Sequence, residues 1–172
     1  MEFRELVRAR ASVRDYDPQR SVPRPVLERI LEAGRFAPSA ANRQPWRFLV
    51  ISSHEALAKV RRCYDRPWFQ DAPHVLAVTG SVKDAWTRQV DGWNSLETDL
   101  AIAMDHLVLA AAAEGVGTCW IANLQPDVLR EALGLDADQR VFAITPLGYP
   151  RPGADAERLK ERKTFDQVVE FR

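Results

Sequence analysis

The segment covering about residues 95–114 constrains the fold of this chain more than any other. From Leu100 to Ala113 it carries apolar residues on nearly every side, interrupted only by Asp105 and His106. A helix that is apolar all round must be buried all round, either in a large core or at a subunit interface. Its uninterrupted apolar runs are too short to cross a membrane.

The length of the chain decides how such a helix can be covered. The chain has 172 residues, which suits one domain with a substantial core. We expect one domain over residues 1–172, with 151–172 as a C-terminal extension. Because little mass remains to surround a long helix completely, we expect a homodimer whose long helices pack against each other. A central helix within a monomer is the alternative.

Apolar periodicity and turn residues predict the other elements. No regular βαβ repeat emerges, which favours an α+β fold. Residues 80–95 show no sustained period and predict loop and partial helix, with Trp86 and Trp93 as lid or interface aromatics. Helices are expected at about 3–10, 23–34, 53–63, 95–114 and 126–133, and strands at about 47–52, 75–79, 118–121 and 141–147.

The charge balance limits the classes of partner. Lys plus Arg and Asp plus Glu both number 24, so the net charge is zero. Such a chain has no overall field that attracts nucleic acid or an anionic membrane surface. We therefore expect a small-molecule substrate and neither nucleic acid nor membrane as a partner. Any site for an anion must be local.

The spacing of cysteine and histidine predicts no metal site. Cys63 and Cys119 fit neither a disulfide framework nor a zinc site, so both are expected to be buried free thiols. His54, His74 and His106 have no partners at triad or metal spacing, and structural roles are expected for them. The first residues are charged from position 2 and lack the apolar core of a signal peptide, which predicts a cytoplasmic protein.

Two short segments carry candidate ligand-binding groups. Arg10, Ser12 and Arg14 place two guanidinium groups and a hydroxyl within five residues, a combination that suits a phosphate. The segment APSAAN at 37–42 is small and polar, so its backbone N–H groups can approach a flat or anionic ligand closely. It leads into strand-type residues from Trp46, where exposed groups are held by a rigid element. The same residues are also ordinary turn formers.

These segments and two others resemble, in order, the signatures of the nitroreductase superfamily of FMN-dependent oxidoreductases. The motifs are RASVRDYD at 10–17, APSAANRQPW at 37–46, GVGTCWI at 115–121 and LGYP at 147–150. Each motif is weak alone, but the four in order span nearly the whole chain. The resemblance implies a central, mostly antiparallel sheet flanked by helices, a long buried central helix, and a C-terminal tail that docks on the partner subunit.

The resemblance also implies where FMN is bound. One group of residues would contact the phosphate and the pyrimidine edge, a loop would reach the flavin from the other subunit of the homodimer, and a third segment would present backbone N–H groups near the dimethylbenzene ring and N5. A basic pair in the tail would close over the phosphate. The first group is Arg10, Ser12 and Arg14, and the loop is formed by Pro38, Ser39, Ala40 and Asn42. The third segment is Trp120, Ile121 and Ala122, and the basic pair is Arg162 and Lys163.

The implied activity is transfer of hydride from NADH or NADPH through flavin N5 to a small acceptor such as a nitroaromatic or a quinone. Because the cofactor carries the redox chemistry, no catalytic side chain is expected. Gln44 and Trp46 are expected to support the fold, and Lys160 to be a solvated charge. Two alternatives stay open: a flavin enzyme of the same fold with other chemistry, such as reductive dehalogenation or flavin breakdown, and a non-catalytic flavin-binding dimer.

Overall fold

The computed structural model describes residues 2–154 and 160–172. Three strands and six α-helices, with single turns of 3₁₀ helix at 40–42, 61–63 and 165–167, make up its regular structure. The helices are α1 (Phe3–Ala9), α2 (Arg24–Arg35), α3 (His54–Val60), α4 (Pro67–Gln70), α5 (Leu96–Ala113) and α6 (Pro126–Leu133). The strands are β1 (Trp46–Ile51), β2 (His74–Ser81) and β3 (Gln139–Leu147).

The three strands form one antiparallel sheet in the order β1-β2-β3. All eight residues of the central strand β2 are buried, and successive side chains point to opposite faces of the sheet. Leu76 and Val78 pack in the cluster that contains α2 and α5, whereas Val75 and Ala77 pack in the cluster that contains α3 and α6. The chain therefore has helices on both faces of an antiparallel sheet, which confirms the predicted α+β class.

The expected fourth strand at 118–121 is wrong. This segment makes isolated bridges to two parts of the chain: Gly117 and Ile121 pair with Gly148 and Ile144, on and just after β3, and Thr118 pairs with Ser12. A strand needs a run of consecutive pairs with one neighbour. The buried, β-branched character of the segment is real, but its pairs are not consecutive.

The expected partial helix within residues 80–95 is also wrong. Strand β2 extends to Ser81, and the following residues form turns closed by a bridge between Thr87 and Asn94. The indole rings of Trp86 and Trp93 pack edge to face at 6.4 Å. Trp93 remains 42% exposed, so this segment presents an aromatic side chain to solvent.

Helix α5 lies against the sheet, but it is not covered on all sides within one chain. Eight of its residues are buried, including Leu100, Met104 and Leu107. On the other side Ile102 is only half-buried and Asp105 is exposed. The expectation of burial all round is therefore not met by this chain alone.

Helix α2 approaches α5 closely at Gly34. A Cβ atom at this glycine would lie 2.6 Å from Cδ2 of Leu107, closer than two carbon atoms can pack. On the same surface, His106 Nδ1 lies 3.2 Å from the carbonyl oxygen of Ala33. This contact joins the last turn of α2 to α5, just before the segment at 37–42.

Both cysteines are buried free thiols, as predicted. Burial raises the pKa of Cys63 to about 11, so this thiol is protonated at neutral pH. Within residues 2–154 and 160–172, no cluster of side chains is arranged to hold a metal ion. In the same ranges, every helix is too short or too polar to cross a bilayer.

Candidate functional site

The N-terminal motif lies beside the motif at 115–121. The backbone N–H of Val13 donates to the carbonyl of Thr118 at 2.8 Å, and Ser12 forms a parallel bridge with the same residue. The approach is close, because a Cβ atom at Gly117 would lie 3.0 Å from three side-chain atoms of Val13. Glycine at 117 is what allows the two segments to run side by side.

The motif at 147–150 joins the same assembly. The N–H of Gly117 donates to Gly148 O at 2.8 Å, and that of Asp17 donates to Tyr149 O at 3.0 Å. Tyr16 is fully buried between these segments, and its hydroxyl donates to Val13 O at 2.8 Å. Three of the four motifs, distant in sequence, therefore meet at one place through backbone hydrogen bonds.

A pocket of about 160 Å³ opens at this junction. Its wall combines a guanidinium, two hydroxyls, a carboxylate, an aliphatic side chain and an indole. Trp120 is 39% exposed, and its ring packs edge to face on Phe142 at 5.6 Å. The lining residues are Arg10, Ser12, Asp105, Val108, Thr118 and Trp120.

Arg14 and Ser12 lie near the buried thiol of Cys119. Burial raises the pKa of the Cys119 thiol, and the neighbouring Arg14 guanidinium and Ser12 hydroxyl partly oppose that rise. Arg14 itself is exposed. Of the three predicted N-terminal residues, Arg10 and Ser12 line the pocket, whereas Arg14 does not line it and lies near Cys119.

The C-terminal tail adds cations to the same region. Lys160 donates its ammonium protons to the carbonyls of Arg8 and Val7 at the end of α1, the latter at 3.5 Å. Burial lowers the pKa of Lys160, and the nearby charges of Arg10 and Arg162 lower it further. The expectation that Lys160 is merely a solvated charge is therefore wrong. Lys163 is exposed.

The loop at 38–42 contains backbone angles that residues other than glycine rarely adopt. Ala41, Asn42 and Gln44 have positive φ angles of 50°, 53° and 50°, a region that residues other than glycine enter rarely and at a cost. The backbone N–H of Gln44 donates to Ser39 Oγ at 2.9 Å, and its side-chain amide donates to Asn42 O at 3.2 Å. Gln44 thus braces the loop, as expected from the sequence.

A buried carboxylate attaches this loop to α5. Asp99 is 2% exposed; its Oδ1 accepts the N–H of Ala40 at 2.9 Å, and its Oδ2 accepts the hydroxyl of Ser95 at 2.7 Å. The Ala40 N–H is consequently not free for a ligand, which corrects the sequence-based expectation at this residue. Ser39 keeps its hydroxyl proton and Asn42 its side-chain N–H groups for that purpose.

Asp99 is a positioning residue that sequence reasoning missed. An acid in the first turn of a helix is adequately explained by the helix dipole, and Ala40 lies 59 positions away. No local pattern connects the two residues. The sequence offered one signal. Asp99 follows Leu96 by three residues and precedes Ala103 by four, so this acid lies on the otherwise apolar face of α5.

The segment 120–122 exposes fewer donors than expected. The N–H of Ile121 donates to Ile144 O at 2.9 Å, and the residue is buried, so it cannot present this group to a ligand. Ala122 and Asn123 are exposed. Their N–H groups make no hydrogen bond to the residues that the structure describes. The N–H of Trp120 likewise makes no hydrogen bond to a described residue, so backbone donors remain at positions 120, 122 and 123.

The structure does not bring the loop and the pocket together within one chain. None of Pro38, Ser39, Ala40 and Asn42 lines the pocket at Arg10. The loop is held near the beginning of α5 by Asp99, whereas the pocket lies further along the helix at Asp105 and Val108. The predicted site residues thus form two separate groups.

Comparison with known proteins gives one consistent family. The model of the nitroreductase family matches residues 7–65 and 56–149. A Bacillus subtilis (strain 168) protein, provisionally named NAD(P)H nitroreductase YdgI, is 44% identical over 99% of this chain and 98% of its own length. Iodotyrosine deiodinase 1 of Rattus norvegicus is 27% identical over 98% of this chain and 68% of its own length.

Solved structures agree with this relationship. A nitroreductase family protein from Clostridium difficile 630 superimposes with a TM-score of 0.91 at 32% identity, covering 99% of this chain and 98% of that one. A structure from Desulfovibrio desulfuricans in complex with FMN has a TM-score of 0.81 at 26% identity, covering 98% and 95%. The chain therefore belongs to the nitroreductase family of oxidoreductases.

Proposed function

We propose that this protein is an FMN-dependent oxidoreductase that passes hydride from NADH or NADPH through flavin N5 to a small acceptor such as a nitroaromatic or a quinone. The observation that supports this most is the cluster of cations around the pocket at Arg10. The working form is a homodimer of chains that are each one domain, with residues 151–172 as an extension.

The cation cluster favours an anionic ligand. Arg10, Lys160 and Arg162 are near enough for their charges to lower the pKa of the lysine, and like charges at such range repel. No described carboxylate forms a salt bridge with any of the three. A phosphate monoester, with close to two negative charges, would turn this repulsion into charge-assisted hydrogen bonds.

The rest of the pocket suits the remainder of FMN. Trp120 and Val108 offer apolar surface for a planar ring, and Ser12 and Thr118 offer hydroxyl groups. Arg10, Ser12, Arg14 and the tail residues Arg162 and Lys163 would hold the ribityl phosphate. The residues present therefore fit the cofactor found in the Desulfovibrio desulfuricans structure.

The protein's own part in the reaction is binding and orientation. FMN, when bound, supplies the redox chemistry, since its N5 accepts and releases hydride. The exposed N–H groups of Ala122 and Asn123 would donate to polar edges of the ring beside Trp120. From the other chain, the Ser39 hydroxyl and the Asn42 amide would contact the flavin, with Pro38 and Ala40 supplying the surface. No side chain is assigned as an acid or base.

The exposed apolar surface supports the homodimer. Phe165 and Phe171 in the tail are 63% and 86% exposed, and Phe3 on α1 is 66% exposed. Together with the uncovered side of α5, this is more large apolar surface than a small monomer normally leaves in water. In the proposed dimer, the tail docks on the partner subunit and the two α5 helices pack against each other.

A second candidate is reductive dehalogenation by the same flavin site. The similarity to the rat iodotyrosine deiodinase over 98% of this chain favours it. Both reactions use a reduced flavin, so the protein fold does not separate them. The short segment between β2 and α5 offers little to enclose an amino acid substrate, which favours the simple reductase.

The visible absorption spectrum tests the proposal. The purified protein, reconstituted with FMN, is expected to show flavin bands that bleach when NADH or NADPH is added without oxygen and return when a nitroaromatic is added. A protein that takes up no FMN would overturn the cofactor assignment. A flavin that does not bleach with either nucleotide, but releases iodide from iodotyrosine after dithionite reduction, would favour dehalogenation.

A further inference from the structure

A second pocket carries basic residues that the proposed function does not use. It has a volume of about 320 Å³ and lies at the end of the sheet where β1 begins and β2 ends. Arg43, Arg47 and Lys83 contribute three cationic side chains to its lining, against one carboxylate, Asp84. We call this cavity the basic pocket.

The backbone holds the two walls of the basic pocket together. Trp46 pairs with Gly80 and Arg47 with Thr79 in the antiparallel register, so the segments before β1 and after β2 leave the sheet side by side. A Cβ atom at Gly80 would lie 2.5 Å from Pro45 O, which shows how tightly the chains pass there. Arg47 lies on β1 itself, whereas Arg43 and Lys83 lie in the segments just before β1 and just after β2.

Two of the three cations form no salt bridge with a described residue, although the carboxylate of Asp84 lines the same pocket. Lys83 forms a salt bridge with Asp138 at 3.2 Å. Arg43 and Arg47 are exposed, and neither forms a salt bridge or a side-chain hydrogen bond with a residue that the structure describes. Two guanidinium groups free to point into one pocket suit a phosphate, because guanidinium binds its oxygens in a bidentate manner.

The basic pocket is continuous with the loop proposed to contact the flavin. Gln44 lines it, and the same residue is hydrogen-bonded to Ser39 and Asn42. A dinucleotide whose nicotinamide lies on the flavin must extend its phosphates away from the ring. The basic pocket lies next to this loop and offers guanidinium groups suited to such a phosphate.

We propose that the basic pocket binds the 2′-phosphate of NADPH, so that this protein prefers NADPH to NADH. The inference rests on the proposed function for its substrate and deepens it by selecting the donor. NADPH differs from NADH by one phosphate monoester, and arginine side chains are a common means of accommodating that group. Arg43 and Arg47 are the specificity-determining residues.

Steady-state kinetics and direct binding test the proposal together. The variant Arg43→Ala/Arg47→Ala is expected to raise KM for NADPH about tenfold or more while changing KM for NADH about twofold or less, with kcat unchanged. In calorimetry with the FMN-loaded protein, adenosine 2′,5′-bisphosphate is expected to bind more tightly than AMP, and the variant is expected to lose that difference. The matched control is Arg24→Ala/Arg62→Ala, which removes two other exposed arginines.

The outcomes separate this inference from the proposed function. Equal rises in KM for both nucleotides, or an unchanged KM for NADPH, would overturn the assignment of the 2′-phosphate. Inorganic phosphate that binds as tightly as the bisphosphate would also overturn it, because the pocket would then be a general anion site. Arginine-dependent binding of the bisphosphate without any NADPH oxidation would support the pocket and contradict the reductase function.

Discussion

The two groups of site residues are held in opposite ways. The pocket at Arg10 is assembled by backbone hydrogen bonds between three motifs, as between Val13 and Thr118 at 2.8 Å. The loop at 38–42 has positive φ angles at Ala41 and Asn42, and its link to α5 is the carboxylate of Asp99. The first group is held by backbone hydrogen bonds within the chain, whereas the second is a strained loop that Gln44 braces and Asp99 links to α5.

This difference indicates what each group is for. Strain of this kind persists where the surrounding structure over-determines it, and it is concentrated at functional sites. A loop that presents the Ser39 hydroxyl and the Asn42 amide away from its own chain's pocket is suited to complete a site elsewhere. We infer that it completes the pocket of a second copy, which agrees with the uncovered side of α5.

Loss of the Asp99 anchor is expected to have the largest effect. Asp99→Ala removes two hydrogen bonds to a buried carboxylate and leaves the Ala40 N–H without its acceptor, so the free energy of unfolding should fall by about 3 kcal/mol or more. Urea denaturation measures this. The control is Glu97→Ala, an exposed acid in the same first turn, which should change stability by less than about 0.5 kcal/mol. Similar losses in both variants would show that Asp99 acts only through the helix dipole.

Removal of a pocket cation is expected to weaken cofactor binding without unfolding the chain. Arg10→Ala should raise the Kd for FMN by about tenfold to a hundredfold, because one charge-assisted contact to phosphate contributes roughly 1.5–3 kcal/mol. Fluorescence quenching of FMN measures the Kd, and Arg4→Ala on the exposed side of α1 is the control. If Arg10→Ala binds FMN as tightly as the wild type, the phosphate is held elsewhere.

The stability of the fold is expected to depend on pH through His74. Its Nε2 accepts the N–H of Val22 at 3.2 Å, so the proton of the neutral ring is on Nδ1, 2.7 Å from Ser52 Oγ. Burial lowers the pKa of His74. In acid the unfolded chain therefore binds a proton before the folded one, and stability should fall as the pH drops below about 6.5, with a slope of at most about 1.4 kcal/mol per pH unit from this group.

Urea denaturation between pH 7.5 and pH 5 measures the contribution of His74. The variant His74→Gln should lose part of the wild-type decrease in stability, whereas His54→Gln, at an exposed histidine, should retain it. An identical pH profile for His74→Gln and the wild type would show that His74 is not the group responsible.

Relief of the strain in the loop is expected to have the smallest effect. Ala41→Gly removes the cost of a positive φ but adds backbone entropy to the unfolded chain, so a net gain of about 0.5 kcal/mol is expected. Thermal unfolding should show a slightly higher Tm. The control Ala40→Gly, at a residue without a positive φ, should lower the Tm. A lower Tm for both variants would show that the positive φ of Ala41 stores no strain that glycine can relieve.

Local patterns predicted much of the fold and the two segments that carry the candidate site. Helix α6 begins at Pro126 and ends before Gly134, which has a φ of 60°, because proline and glycine act within one turn. Ser53 caps α3 through Ala56 N, also as expected. The bridges of segment 118–121 and the anchor between Asp99 and Ala40 could not be predicted, since each depends on partners that only the fold brings together.

Complementation between two defective chains tests most directly whether the site is shared between copies. One chain carries Arg10→Ala and the other Ser39→Ala/Asn42→Ala, and each alone is expected to bind little FMN. After subunit exchange, verified by native mass spectrometry, about one quarter of the sites should be intact and should bind FMN with wild-type affinity. Verified exchange without any recovered FMN binding would show that both groups of residues act within one chain, and would contradict the account.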